Sequence, residues 1–197
     1  LQELINAGLN SMPGGGAEIF ASEVRKKVCP EKISGERWLE IMQTAHSLSI
    51  KSNATMLTGI GETAQDKINH LIKLRELQDK TLGFMAFIPL FCHYENTSIK
   101  PENELTGFDI VREYALARLM LDNFEHIKSF RIQTGTNMAQ LSLFFGSDDL
   151  DGTVIIEKIT RSAGAKTDGD ISAQELISLI KNAGKIPVQR DTVYRIL

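Results

Sequence analysis

Residues 51–63 read KSNATMLTGIGET, and a chain built around that run has few folds open to it. Up to Leu57 the residues are a β-branched and apolar mixture suited to a buried strand, and Gly59 and Gly61 then let the backbone turn sharply before Glu62 and Thr63. The reading is strand, glycine turn, helix start. Thr63 can cap a helix on which Ile68, Leu71, Ile72, Leu74 and Leu77 recur at helical spacing, so the free amides of the turn gather at that helix's N-terminus. In an α/β protein this is where ligands bind.

Composition narrows the partners. A chain of 197 residues with 42% apolar residues and a net charge of -3 can form a single domain and has no basic excess for nucleic acid. No apolar run reaches membrane-spanning length, so neither nucleic acid nor a membrane is expected as a partner. The two cysteines, Cys29 and Cys92, are far apart, which fits a reducing, cytoplasmic setting. The chain opens on Leu1 with what reads as the last turns of a helix ending at Gly8, and the expectation is a piece of a longer protein.

A short strand over residues 9–12 runs into Pro13-Gly14-Gly15-Gly16. Bare backbone there allows either close approach of a ligand, with Glu18 accepting hydrogen bonds from a sugar's hydroxyls, or a loop needing positive φ, with Glu18 a solvated acid at a helix start. Residues 22–28 form a helix with Arg25, Lys26 and Lys27 as a solvated face. The next helix turns Trp38, Leu39, Ile41, Met42, Ala45 and Leu48 inward, and His46 reads as a surface histidine at its end rather than a ligand. Residues 84–90 are almost wholly apolar, a strand buried on both sides. They emerge in a polar and aromatic cluster from Phe91 to Thr97, where His93, Glu95 and Asn96 can contact substrate but lack the spacing of a metal set. Thr106 caps a strongly apolar helix over residues 108–122. Residues 127–132 form a fourth strand ending at Gln133 and Thr134, and residues 138–145 are helical.

The three carboxylates Asp148, Asp149 and Asp151 suggest a calcium loop, but with Ser147, Asp149 and Asp151 in the first three ligand positions the twelfth is Lys158 and the EF-hand pattern fails. Near Asp168 and Asp170 the ligand positions fall on Gly164 and Lys166, and Ser172 with Glu175 is better read as a capping box. No metal site is expected in the chain. The repeat of strand, loop and helix, with a fifth short strand near Val154, is that of a (β/α) barrel whose site lies in its βα loops. Five strands cannot close eight. The fold class is therefore α/β, the carboxyl-terminal portion of a TIM-type barrel, one domain over residues 1–197 with a helical extension over about 155–197.

Thr55-Met56-Leu57-Thr58-Gly59-Ile60-Gly61-Glu62-Thr63 resembles the fifth-strand motif of radical S-adenosylmethionine enzymes. Ser11-Met12-Pro13-Gly14-Gly15-Gly16-Ala17-Glu18-Ile19, the run from Ser52 to Leu57, the run from Leu74 to Asp79 and Phe87-Ile88-Pro89-Leu90 sharpen the resemblance to the futalosine-pathway enzymes of menaquinone biosynthesis and their relatives in deazaflavin synthesis. Asp148 to Val154, with Glu157-Lys158-Ile159, is most similar to the aminofutalosine synthase branch. The related cyclase usually has Gly-Ser-Thr where this chain has Asp151-Gly152-Thr153, and a tryptophan at Leu90.

That resemblance implies addition of a 5'-deoxyadenosyl radical to the enol-ether double bond of 3-[(1-carboxyvinyl)oxy]benzoate, giving aminofutalosine, with an electron donor such as flavodoxin or ferredoxin. It implies S-adenosylmethionine held by Gly14, Gly15, Gly16, Glu18, Asn53, Leu57, Gly59 and Glu62, with Glu62 mainly stabilising its turn. His93, Asn96, Gln133, Thr134 and Asp149 are candidate substrate contacts from their places at strand ends. The family's [4Fe-4S] cluster needs a Cys-x3-Cys-x2-Cys triplet, and this chain has none. Its ligands are expected upstream, which leaves this chain inactive alone. A dehypoxanthine futalosine cyclase or a deazaflavin-synthase-like enzyme, a cluster-free nucleotide-binding barrel, and an interaction protein derived from a decayed enzyme are the alternatives.

Overall fold

The computed structural model describes residues 1–99, 104–153, 158–164 and 170–197. Five parallel strands, β1 (Ser11–Met12), β2 (Lys51–Thr58), β3 (Phe84–Phe91), β4 (His126–Ser129) and β5 (Asp149–Leu150), pair in chain order. Helices α1 (Gln2–Asn6), α2 (Ser22–Val28), α3 (Gly35–Ser47), α4 (Ala64–Thr81) and α5 (Gly107–Met120) precede or join the first four strands. After them come α6 (Arg131–Thr134), α7 (Thr136–Ser142), α8 (Ile159–Ser162) and α9 (Ala173–Asn182). A doubly wound sheet would reverse its strand order partway; sequential order is that of an arc of a (β/α) barrel.

The helix starts are written in the sequence as anticipated. Thr63, Thr106 and Ser172 each accept the amide of the third helical residue, while Asp66, Asp109 and Glu175 return the bond, so all three form capping boxes. The fifth strand lies at Asp149–Leu150; Val154, where it was expected, lies outside the described residues, as do residues 100–103, Glu157, Lys166, Asp168 and Gly169.

One face of the sheet carries the core. Ser52 bonds His46 of α3 at 2.9 Å, Phe84 stacks 6.2 Å from Trp38 of α3 and 5.3 Å from Phe124, and Ser129 bonds the Tyr114 hydroxyl of α5 at 3.0 Å. These residues face the helices. Strand alternation and register then put Asn53, Thr55 and Leu57 of β2, Ile88 and Leu90 of β3, His126 and Lys128 of β4 and Asp149 of β5 on the inner face. The chain's tail crosses that face. Tyr194 stacks on His126 with ring centroids 4.3 Å apart, and its hydroxyl donates to Asp149 at 2.6 Å.

Three local readings are corrected. Arg25 is not solvated but 5% exposed, because the irregular loop beneath it has carbonyls that only a buried multi-donor group can reach. His46 is neither a surface group nor a ligand. Its ring is held between Thr81 (2.8 Å) and Ser52 (2.9 Å), and burial pushes it down to about 4. The fourth strand stops at Ser129 rather than Ile132, since the Asp151 carboxylate accepts the Arg131 amide at 2.6 Å and the chain turns into α6.

His70, fully buried in α4, has a defined tautomer. The Phe20 amide donates to its Nδ1 at 3.2 Å, so Nε2 carries the proton and donates to the Thr55 carbonyl at 3.0 Å. Burial holds the ring at about 3 against an ordinary 6.5. The unfolded chain therefore takes up this proton first on acidification. The stability due to neutral His70 is complete above pH 6.5 and is lost as pH falls toward about 3. Between pH 6.5 and 5, above the ordinary carboxylate range, urea unfolding should show a decline of at most about 1.4 kcal/mol per pH unit from this residue. His70→Gln should flatten that slope.

Candidate functional site

All five strands run in one direction, so the loops after β1, β2, β3 and β4 leave the sheet at the same side, the first of them running along β2 from the level of Ser52 to Leu57. The loop after β1 turns its carbonyls inward. Gly14 O accepts from Thr55 Oγ1 (2.7 Å), Gly15 O from Trp38 Nε1 (3.1 Å), and Gly16 O, Ala17 O and Ile19 O from the Arg25 guanidinium, which also donates to Ile33 O in the loop between α2 and α3. Glu18, at φ 46, gives its carbonyl to the Leu57 amide at 2.7 Å, which lays the loop along the end of β2. With these carbonyls committed, the amides of Gly15 and Gly16 have no protein partner among the described residues, while Ala17 closes the turn over them. They are donors waiting for an acceptor.

The glycines differ in what they do. A Cβ on Gly14 would sit 2.8 Å from the Asn53 carbonyl, so its bareness serves the approach of two backbones rather than of a ligand. Gly15 has open space at that position, and Gly16 needs its φ of +85°. The Glu18 carboxylate pairs with Lys32.

The turn after β2 is pinned by one side chain. Glu62 accepts the amides of Gly59 (2.9 Å) and Ile60 (2.8 Å), as a turn-stabilising carboxylate does. Gly59, at φ +92°, lies under the Tyr94 hydroxyl, while Gly61, at φ +93°, is open. Burial, then the charges of Glu62 and Glu18, raises the Cys92 thiol to about 11. Burial, then Cys92 and Glu62, raises Tyr94 to about 12. The three loops thus surround one space. The Asn53 Oδ1, on the inner face of β2, and the Tyr94 hydroxyl are buried without a partner. Sequence reasoning passed over Tyr94, Lys32 and Arg25.

The other candidates lie around β3 to β5. Phe91 donates its amide to Gln133 Oε1 at 2.8 Å, and His93 Nε2 donates to the Gln133 carbonyl at 3.0 Å. His93 Nδ1 and the Gln133 amide nitrogen remain uncommitted among the described residues. Asn96 is farther out, bonded to Ser162 O at 3.0 Å and Ala163 O at 3.3 Å. Thr134 makes a long bond of 3.4 Å to Phe130 O. Asp149 is taken by Arg190, through Nε at 3.0 Å and Nη2 at 2.5 Å, and by Tyr194.

The acidic run at Asp148 is likewise committed to protein partners. Asp148 accepts from the Ile127 amide, Arg118 and His126, and Asp151 is 2% exposed with burial raising its carboxyl. Among the described residues no group of three or more His, Cys, Asp or Glu could hold a metal ion, and Cys29 and Cys92 are unpaired thiols. Nor is any helix among them long and apolar enough to cross a membrane.

Comparison with known proteins places this geometry. Residues 81–197 match the family described as the CofH/MqnC C-terminal region. The aminodeoxyfutalosine synthase of Thermus thermophilus is 48% identical over 99% of this chain and 54% of its own length. The cyclic dehypoxanthine futalosine synthase of Streptomyces coelicolor is 46% identical over 95% of this chain and 47% of its own. The chain thus spans about half the length of these relatives. The crystal structure of methylornithine synthase (PylB) superposes with a TM-score of 0.66 at 15% identity, covering 88% of this chain and 51% of that one. This likeness is one of fold, and it agrees with the sequential parallel sheet of a TIM-type barrel.

Proposed function

Since the chain belongs to the CofH/MqnC family, we propose that it is the carboxyl-terminal part of a cytoplasmic radical S-adenosylmethionine enzyme that makes aminofutalosine from 3-[(1-carboxyvinyl)oxy]benzoate for menaquinone biosynthesis. The observation that carries this reading is the pair of unpartnered amides at Gly15 and Gly16, in a loop that Glu18 ties to Leu57 at the end of β2, just before the Gly59–Glu62 turn. Free donors, open glycine surfaces and orphaned buried oxygens fit S-adenosylmethionine, a polar molecule rich in both donors and acceptors.

In this reading Gly15 and Gly16 take acceptor atoms of the cofactor, Glu18 reaches its ribose, and Gly59, Asn53 and Leu57 bound the adenine side. Gly14 and Glu62 act by shaping their turns. When bound, S-adenosylmethionine supplies the adenosyl radical, on receipt of one electron from a [4Fe-4S] cluster. The described residues do not fit that cluster, so its ligands belong to another part of the protein, as does the docking of a flavodoxin- or ferredoxin-type donor. His93, Gln133 and Thr134 are positioned to orient the substrate, with Asn96 and Asp149 bounding the same loops.

The higher identity to the Thermus thermophilus synthase and the residues Leu90, Asp151, Gly152 and Thr153 favour the synthase over the cyclase. Incubating the reconstituted full-length protein with S-adenosylmethionine, a reductant and the enol-ether benzoate should yield aminofutalosine. Cyclisation of dehypoxanthine futalosine instead would transfer the assignment to the cyclase branch.

A further inference from the structure

The inner face of the sheet holds a cation that no hydrogen bond or ion pair engages among the described residues. Lys128 lies one residue beyond the Phe87–Ile127 rung and directly opposite Asp149. Its neighbour Ser129 is bonded to Tyr114 on the helix side, so alternation turns Lys128 inward, where it is only partly exposed. Among the described residues its ammonium makes neither a hydrogen bond nor an ion pair.

The charges around it explain why. Asp149 and Asp151 attract it and Arg190 repels it, but both Asp149 oxygens are held by Arg190 and Tyr194, one Asp151 oxygen is held by the Arg131 amide, and the other, Oδ2, is buried without a bond to Lys128. Burial lowers the lysine's pKa, as it does for an ammonium short of partners. A half-buried ammonium held by no hydrogen bond or ion pair can take an anion as its direct partner.

Depth selects which anion. Lys128 is level with Ile88 and Thr55, three residues below the end of β2, or about 10 Å at strand rise. A substrate reacting at the rim must keep its double bond beside the glycine turns, which sends its far end down the inner face. We propose that Lys128 binds the ring carboxylate of an aromatic enol-ether acid and so sets the substrate's orientation and the requirement for that acid. This rests on the function proposed above.

The test is direct binding to the full-length protein, with the diacid 3-[(1-carboxyvinyl)oxy]benzoate and its ring-carboxylate methyl ester as probes. The unmodified protein should prefer the acid by roughly 30-fold or more, the scale of a desolvated charge pair. Lys128→Met should abolish that preference by weakening the acid alone, and Lys128→Arg should restore part of it. S-adenosylmethionine binding reports that each variant is folded. An acid-to-ester ratio unchanged in Lys128→Met, or near one in the unmodified protein, overturns the lysine's role and leaves the proposed function standing. Failure of the unmodified protein to bind either probe overturns the proposed function and this inference together.

Discussion

Replacing Arg25 by Ala should destabilise the protein by about 3–5 kcal/mol, as leaving several buried carbonyls without their donor does. The guanidinium bonds Gly16, Ala17, Ile19 and Ile33, four carbonyls from the two loops flanking α2, which have no strand or helix of their own to satisfy them. Without it those oxygens stay buried unless the loop opens to water. Arg25→Lys should recover only part of the loss, because an ammonium lacks the planar fork that reaches both loops. Denaturant unfolding of the full-length protein measures both. The loop's amides are placed by its carbonyls, so S-adenosylmethionine affinity should fall in step with stability. A loss under about 1 kcal/mol for Arg25→Ala would mean that water already serves the loop.

Arg25 also marks where a sequence stops being readable. Strands β2 and β3 and helices α3, α4 and α5 were legible because each announces itself locally, by apolar runs or periodicity and, for the helices, by a capping residue, Ser34, Thr63 or Thr106, at the start. The glycine turns and the pinning role of Glu62 were legible for the same reason, since their cause lies within a few residues. Arg25 sits in a run of three basic residues and looks like surface. Its burial is decided by the carbonyl demand of a loop whose path no local pattern encodes. The same holds for Asp149, whose partners Arg190 and Tyr194 are 41 and 45 residues away, and for His46, held by Thr81 from across α4. Lys128 is intermediate: alternation within β4 fixes its face, but its lack of a direct partner depends on how the tail engages Asp149.

Gly59→Ala should weaken S-adenosylmethionine binding by roughly 10- to 100-fold, the equivalent of about 1–3 kcal/mol of backbone strain and displacement at the rim. Two causes act together. The residue's φ of +92° suits glycine, and a Cβ there would overlap the Tyr94 hydroxyl and lie 2.9 Å from Leu105 Cδ1. Gly61→Ala separates them, because Gly61 has nearly the same φ, +93°, with nothing within 4 Å of its Cβ. It bears the conformational strain without the collision and should lose less affinity. Tyr94 supplies the other control. Its hydroxyl is buried without a partner, so Tyr94→Phe alone should leave stability unchanged or slightly raised, and it should return part of the affinity lost in Gly59→Ala by making room for the methyl group. Isothermal titration of S-adenosylmethionine into the four full-length variants gives the answer. Equal losses for the two alanine variants, with no gain from Tyr94→Phe, would show that the turn's φ alone shapes this side of the rim and that the contact with Tyr94 contributes nothing to it.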